Sequence, residues 1–354
     1  MIPRVSIIIL NWNGWEDTIE CLESVYNIKY PAYDVIVVDN GSEDDSVSKI
    51  KSYCKGEAIP SSSFFEARNK NKPLKIFEYN PEIDNQKINN QQIETDNIIP
   101  TDDSFNNNGL ILLKTGENKG FAAGNNVGMK FAYEHLTPDY FLLLNNDTVV
   151  DSLFLNELVE VANSDDKIGF VGPKTYYYDN KNVLQVAGGA KIDLYRAEPI
   201  NVDLGEIDRG QYDENFELGY VNGSCMLCKT EMAKKIGLMD ESHFMYWEET
   251  DWCYRARNNG YKSVYAFKSM IWHKVGKSSQ TSLKVFYHNR NRVYFMRKNV
   301  NGFKMTIYLI YLFLIYFWFM SAVYLIYRKD RELFRAFYQG TKDGFKVKPK
   351  IVKI

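Results

Sequence analysis

Four short apolar runs, each closed by a polar turn, restrict this chain more than any other feature. Residues 5–10, 35–38, 110–113 and 140–144 are continuous rather than alternating in hydrophobicity, the pattern of parallel strands covered on both faces. Helix-like stretches at 15–26, 46–53 and 121–135 separate them. Such alternation implies an α/β fold, an open and mostly parallel sheet flanked by helices, with ligands bound beyond the carboxyl ends of the strands. The polar punctuation falls at those ends: Asn11-Trp12-Asn13-Gly14, Asp39-Asn40-Gly41-Ser42 and Asn145-Asn146-Asp147.

Residues 55–109 break the rhythm. Their Asn/Gln-rich part, 80–108, cannot bury much apolar surface and reads as a surface insertion, partly disordered, with 64–65 and 74–79 as a small ordered patch. The second half reads as a strand at 220–228, a helix at 249–259 closed by Gly260, a strand at 264–267 and an Arg-rich aromatic helix at 286–298. Five cysteines show no paired framework. Cys225 and Cys228 lie in a strand-like run without a second pair, so buried thiols are expected there rather than zinc.

Residues 305–327 carry no charge and are long enough to span a hydrocarbon core of roughly 30 Å as a helix. Five tyrosines and one tryptophan within them favour an interfacial placement, and basic residues at both ends leave the orientation open. The tail 301–354 holds ten Lys/Arg and three Asp/Glu, a net of +7, against −9 for the first 300 residues and −2 overall. An acidic body with a basic, apolar tail points to an anionic membrane surface and not to nucleic acid.

Several residues carry candidate chemistry. A carboxylate at Asp39, at a strand end, suits a nucleoside's base or ribose hydroxyls; a turn Asp capping the next helix is the competing reading. Residues 117–126, with Gly120 and Gly124, form a small-residue loop entering a helix, where free amides suit an anion; a plain strand–helix connection is the competing reading. Asn145 and Asp147, at i and i+2, would project from one side of an extended chain and reach one hard cation, Mg²⁺ or Mn²⁺. Asp147 capping a helix at 152–161 is the alternative there. Glu248, Glu249 and Asp251 open a helix, where acids complement the macrodipole; the aromatic run 244–247 before them is a partly desolvated wall, which raises carboxyl pKa values and suits a general base. His273 is one of only four histidines; a satisfied structural histidine is the default, and imidazole is also a common metal ligand.

The order of these pieces resembles the family 2 glycosyltransferases with a GT-A (Rossmann-like) fold, in particular the rhamnosyltransferase-like and galactofuranosyltransferase-like members. The matching segments are 5–14, 38–42, 118–126, 144–148, 221–226, 237–255 and His273. The resemblance implies a GT-A domain over 1–280, with a nucleotide-sugar-binding half (1–147) and an acceptor-binding and catalytic half (148–280). A helical C-terminal region at 281–354, membrane-associated through 305–327, would follow.

The resemblance also implies roles. Asn11, Asn13, Asp39, Asn118, Lys119, Gly120, Gly124, Asn125, Asn145 and Asn146 would line the donor site. Asp147 and His273 would hold the metal, with Asn145 standing where the family's DxD motif has its first Asp. Glu249 sits where the usual catalytic Asp stands, with Glu248 and Asp251 as its alternates. The expected activity is inverting, metal-dependent transfer from a dTDP- or UDP-linked sugar to a hydroxyl of a glycan or lipid-linked acceptor, at the cytoplasmic face of the cell membrane, in cell-envelope polysaccharide synthesis. A non-catalytic nucleotide-sugar-binding homologue is the first rival. A nucleotidyltransferase is the second, but the turn after the first strand lacks the Gly-rich basic loop it would need.

Overall fold

The apolar runs form a twisted sheet in which every parallel strand delivers its carboxyl end to one edge. The computed structural model describes residues 1–65, 72–81, 109–201, 205–274 and 281–354. Strands β1 (Val5–Asn11), β2 (Tyr33–Asp39), β3 (Lys75–Tyr79), β4 (Gly109–Lys114) and β5 (Tyr140–Asn145) pair in parallel in the order β5-β1-β2-β4-β3. Helices α1 (Trp15–Val25), α2 (Ser46–Lys55) and α3 (Gly120–His135) connect them. The register sets Asn11 opposite Asp39, and Leu10 opposite Asn145. Three polar side chains therefore end at the same level of the sheet.

The expected patch at 74–79 is the edge strand β3. The rest of the polar insertion, residues 66–71 and 82–108, lies outside the described residues.

Beyond β5 the sheet turns mixed. A two-residue turn, Asn146-Asp147, leads to β6 (Thr148–Val150) and then to helix α4 (Phe154–Asn163). Strand β7 (Ile168–Tyr177) is followed by the short strands β8 (Val183–Ala187), β9 (Gly189–Asp193), β10 (Glu198–Asn201), β11 (Glu206–Ile207), β12 (Phe216–Leu218) and β13 (Tyr220–Val221). β14 (Cys225–Lys229) then inserts antiparallel between β5 and β7. The single strand expected at 220–228 is thus two, because Asn222-Gly223-Ser224 turns between sheets; the Asn222 side chain accepts from the Ser224 amide at 3.0 Å and closes that turn. Helices α5 (Thr230–Ile236) and α6 (Glu248–Asn258) precede β15 (Lys262–His273), which is far longer than the strand expected at 264–267. β15 pairs with β7 and with β6, setting His273 opposite Thr148. All five cysteines are buried.

Two apolar clusters fill the faces of the sheet, one around Ile7, Ile9, Val37 and Leu142, the other around Ile8, Val38, Leu143 and Trp252. The remaining helices are α7 (Ser282–Asn299), α8 (Gly302–Tyr327) and α9 (Arg331–Gly344). Two π turns, Leu312–Tyr316 and Val323–Tyr327, interrupt α8. Tyr308, Leu312, Ser321 and Tyr324 form its buried stripe, spaced wider than an α-helix keeps on one line, and the π turns correct that drift.

Candidate active site

The carboxyl ends of β1, β2 and β5 are knitted by side chains. The Asn11 amide donates to Asp39 Oδ1 at 2.9 Å and to Ser42 Oγ at 3.1 Å, while its Oδ1 accepts from Thr18. Asn146 Nδ2 donates to Thr18 Oγ1 and to the Gly14 carbonyl, which ties the turn after β5 to the turn after β1. Asn13 adopts φ 51° and anchors the next loop, accepting from the Glu43 amide at 2.8 Å. Asn40, which sequence reasoning passed over, organises the third turn. Its Oδ1 accepts from the Lys119 amide and its Nδ2 donates to Asn118 Oδ1 and to the Gly120 carbonyl.

The loop 116–120 closes on the turn in front of α6, at Phe244. Gly120 has φ +80°, and a Cβ there would lie 2.5 Å from the Phe244 carbonyl oxygen. That close approach is why the position takes glycine. Gly124 packs against Leu10 and Asn40 at the start of α3, and Asn125 turns its amide back to the Phe121 carbonyl. Those two build the helix–strand contact.

Asp147 sits in the tight turn between β5 and β6, so it meets Asn145 across a turn and not along an extended chain. It caps no helix: Asp151 accepts from the Leu153 amide just before α4. Instead, Asp147 Oδ1 lies 3.2 Å from His273 Nε2, yet it is buried without a hydrogen-bond partner. On the other side of the ring, His273 Nδ1 is 2.9 Å from Gln185 Oε1. With Gln185 accepting from Nδ1, Nε2 is the ring atom that faces the carboxylate. An imidazole nitrogen and a carboxylate oxygen facing each other are a donor set that suits a divalent cation. The Asn145 backbone amide donates to the Ser224 carbonyl at 2.9 Å, which ties the end of β5 to the β13–β14 turn.

Glu249 approaches the β13–β14 turn. Gly223, next to Ser224, would place a Cβ 3.9 Å from Glu249 Cγ and 3.8 Å from Phe121. The β13–β14 turn therefore connects Asn145 to Glu249. Burial pushes both Glu248 and Glu249 above the usual carboxylate range, the Glu249 charge raises Glu248 further, and backbone hydrogen bonds partly offset the rise at each. The Oε2 atoms of both are buried without a partner.

Asp251, the third acid, differs. Burial opposes its charge, but Arg255, His243 and Lys298 hold it ionised below the ordinary value. It bonds Arg255 at 2.9 Å, Lys298 at 2.8 Å and Asn299 at 2.8 Å, leaving it fully engaged in structure.

The turn in front of α6 is strained. Phe244, Tyr246 and Trp247 all have positive φ, at 62°, 68° and 75°, a region bulky side chains rarely occupy. Asn291 of α7 holds it by donating to the carbonyls of His243, Met245 and Tyr246 at 2.6, 2.8 and 2.9 Å. Glu249 also lines a cavity of about 120 Å³ walled by Tyr220, Tyr246, Trp247 and His288. Burial, with Arg292 nearby, pushes the His288 imidazole down to about 4, so it is neutral. No local spacing in the sequence marks Asn291 or His288. A larger cavity, about 620 Å³, lies on the far face of loop 116–120 and contains none of these acids.

Asp240, His243 and Asp251 also lie close enough together to hold an ion. Their cation is already present: Lys298 Nζ sits 2.7 Å from Asp240 and 2.8 Å from Asp251. The pair Asp147–His273, with its orphaned oxygen, is the better place for a metal.

A mostly parallel sheet with acids and amides converging at its carboxyl edge defines the GT-A class of nucleotide-sugar-binding domains. The family model described as glycosyltransferase-like family 2 matches residues 93–295, and a second, glycosyl transferase family 2, matches residues 6–72. This chain belongs to the family 2 glycosyltransferases. It is 27% identical over 147 residues to the low-salt glycan biosynthesis hexosyltransferase of Haloferax volcanii, a match covering 41% of this chain and 45% of that protein. It is 23% identical over 199 residues to the dTDP-rhamnosyl transferase of Shigella flexneri, covering 53% and 63%. The chain thus spans about half to two thirds of the curated relatives it matches. Among solved structures, the mannosyltransferase of Pyrobaculum calidifontis in complex with GDP-Man and Mn²⁺ superposes with TM-score 0.54 at 14% identity, over 98% of this chain and 88% of that one. At that identity the likeness speaks to the fold.

Proposed function

We propose that this protein is an inverting, metal-dependent glycosyltransferase. It moves a sugar from a nucleoside-diphosphate donor, dTDP- or UDP-linked, to a hydroxyl of a glycan or lipid-linked acceptor. The observation that carries this reading is the partnerless buried Oδ1 of Asp147, aimed at His273 Nε2, with Glu249 facing the same turn system.

Asp39, positioned by the buried Asn11, binds the base or ribose, and loop 118–120, whose Lys119 and Gly120 amides are taken by the Asn40 and Asn118 side chains, lines the donor pocket. Asp147 and His273, with Asn145 beside them, would hold Mg²⁺ or Mn²⁺, which when bound offsets charge on the departing diphosphate. Glu249, kept in a desolvated wall, takes the proton from the acceptor hydroxyl as that oxygen attacks the anomeric carbon from the face opposite the leaving group. One displacement inverts the anomeric configuration. Strain in the 244–247 turn, held by Asn291, fixes where Glu249 points. The engaged state of Asp251 favours Glu249 over it as the base.

The apolar helix α8, 26 residues long and mostly exposed, supports a place at the membrane; the cytoplasmic face is the side on which we place the donor. Asp147→Ala and Glu249→Gln, assayed with UDP- and dTDP-sugars and Mn²⁺, should each abolish transfer while leaving the fold intact by circular dichroism. Near-normal turnover in Glu249→Gln would overturn the base assignment.

A further inference from the structure

Helix α8 meets every length and composition requirement for crossing a bilayer, yet the chain on both sides of it is bound to the same body. Before it, α7 packs into the domain and grips the 243–246 carbonyls through Asn291. After it, α9 lies against α7 so closely that a Cβ at Gly340 would sit 2.4 Å from the Phe286 carbonyl oxygen, and one at Gly344 2.5 Å from that of Arg290. The tail then returns to the catalytic half: the Leu238 amide donates to the Val352 carbonyl at 2.8 Å, and the Lys350 amide to Asp240 Oδ1 at 2.9 Å. A spanning helix would carry α9 and the tail to the other side of the membrane and break all of these contacts.

The helix is also fastened along its whole length. Near its start Tyr308 and Leu312 join Val293, Phe295, Met296 and Trp247 in one packed cluster; near its end Tyr324 joins Val285, Leu333 and Phe337 in another. Between them the Arg292 guanidinium lies 3.8 Å from the Tyr316 ring centre. The opposite face is bare. Leu314 is 70% exposed, Trp318 65%, Phe319 63% and Ile326 72%.

We infer that α8 lies flat in the interfacial layer of an anionic bilayer, as a monotopic strap that does not cross it. This rests on the membrane association proposed above. Charge commits the face to that partner, because exposed Lys304, Arg328, Lys329, Arg331, Arg335 and Lys342 flank and follow the apolar surface. Trp318 and Tyr327 are the amphipathic rings that settle at headgroup depth. The consequence reaches the site. Trp247, directly before Glu248 and Glu249, packs in the same cluster as the buried side of α8. The base thus stands two residues from a side chain seated on the buried side of α8, a placement that suits an acceptor hydroxyl on a lipid-linked carrier close to its headgroup.

The test uses the full chain expressed in cells, with single cysteines introduced as Glu160→Cys on the body and Lys346→Cys after α9. Both positions are exposed and the native thiols are buried. Sealed inside-out membrane vesicles are treated with a membrane-impermeant maleimide. Equal labelling of both positions from the cytoplasmic face is expected; labelling from opposite faces would overturn the in-plane placement while leaving membrane association standing. Separately, purified protein is floated with phosphatidylcholine vesicles with or without 30% phosphatidylglycerol. The anionic vesicles should bind it at least tenfold better, and Leu314→Asp/Phe319→Asp should remove that binding without changing metal-dependent donor hydrolysis. Unchanged binding by the double variant would refute the assigned face. Failure of the wild type to float, with its absence from cell membranes, would overturn the membrane reading itself.

Discussion

Replacing Glu249 with Gln should harm the reaction and help the fold, and the two effects have separable sizes. The Glu249 carboxyl is pushed from 4.5 up to about 7 by burial, and its Oε2 has no partner. A folded-state value above the unfolded one means the folded protein binds the proton more tightly. Stability from this group is therefore full below the unfolded value and falls as pH rises through the folded one. At ~1.4 kcal/mol per unit the loss above neutral pH reaches roughly 3 kcal/mol, and sharing the proton with Glu248 reduces it to about 1–3 kcal/mol. The neutral amide removes this penalty. With unfolding entropy near 2.1 cal/mol/K per residue, Tm should rise by roughly 1–4 °C at pH 8. At pH 4.5 the gain should vanish, since the wild-type group is then protonated as well. Transfer should fall about 10²–10⁴-fold, the usual worth of a general base. Thermal denaturation at the two pH values, beside transfer rates, reads both. A variant that is destabilised at pH 8, or stabilised equally at both pH values, would refute the reasoning.

Two further outcomes follow from groups that hold the site. Asn291→Ala takes the amide donor from the Met245 and Tyr246 carbonyls of a strained turn, while the His243 carbonyl keeps Arg290, so stability should drop by about 2–4 kcal/mol in denaturant titration, and donor turnover should fall before the protein unfolds. Lys298→Met strips the cation from Asp240 and Asp251, a loss worth about 3–5 kcal/mol. Burial opposes the charge of Asp240, but Lys298, Tyr294 and the Lys350 amide outweigh it and hold the group well below its ordinary value. Its contribution is therefore present above the unfolded value and disappears as pH falls, so the variant's acid-unfolding midpoint should move to higher pH.

The carboxyl edge of the sheet was legible because continuous apolar runs fix strand length and a polar residue ends each one. Asn11, Asp39 and Asn145 could be placed together on that basis alone. Their convergence with Asp147 is a different matter, since an Asn-Asp pair reads equally as strand end or turn, and the turn is what forms. The stretch 237–255 carried the family resemblance most specifically. Much of its distinctiveness proves to be scaffold: Trp252 Nε1 donates to the Gly237 carbonyl, and Arg255 to those of Ile236 and Leu238. What could not be read is non-local. Positive φ at Phe244, Tyr246 and Trp247 has no signature in residue type, and Asn291, Lys298 and His288 act on groups some 40 or more positions away in the chain. The apolar run at 305–327 was plain, while its placement depended on contacts made by α9 and the returning tail.

The central claim is that Asp147 and His273 together anchor the metal on which donor chemistry depends. Its most direct test is a Mn²⁺ titration of UDP- and dTDP-sugar turnover in the wild type, Asp147→Ala and His273→Ala. The wild type should show saturable metal dependence, Asp147→Ala should lose activity at every Mn²⁺ concentration, and His273→Ala should need far more Mn²⁺ for half-maximal rate. Wild-type rates and an unchanged Mn²⁺ midpoint in Asp147→Ala would contradict the account.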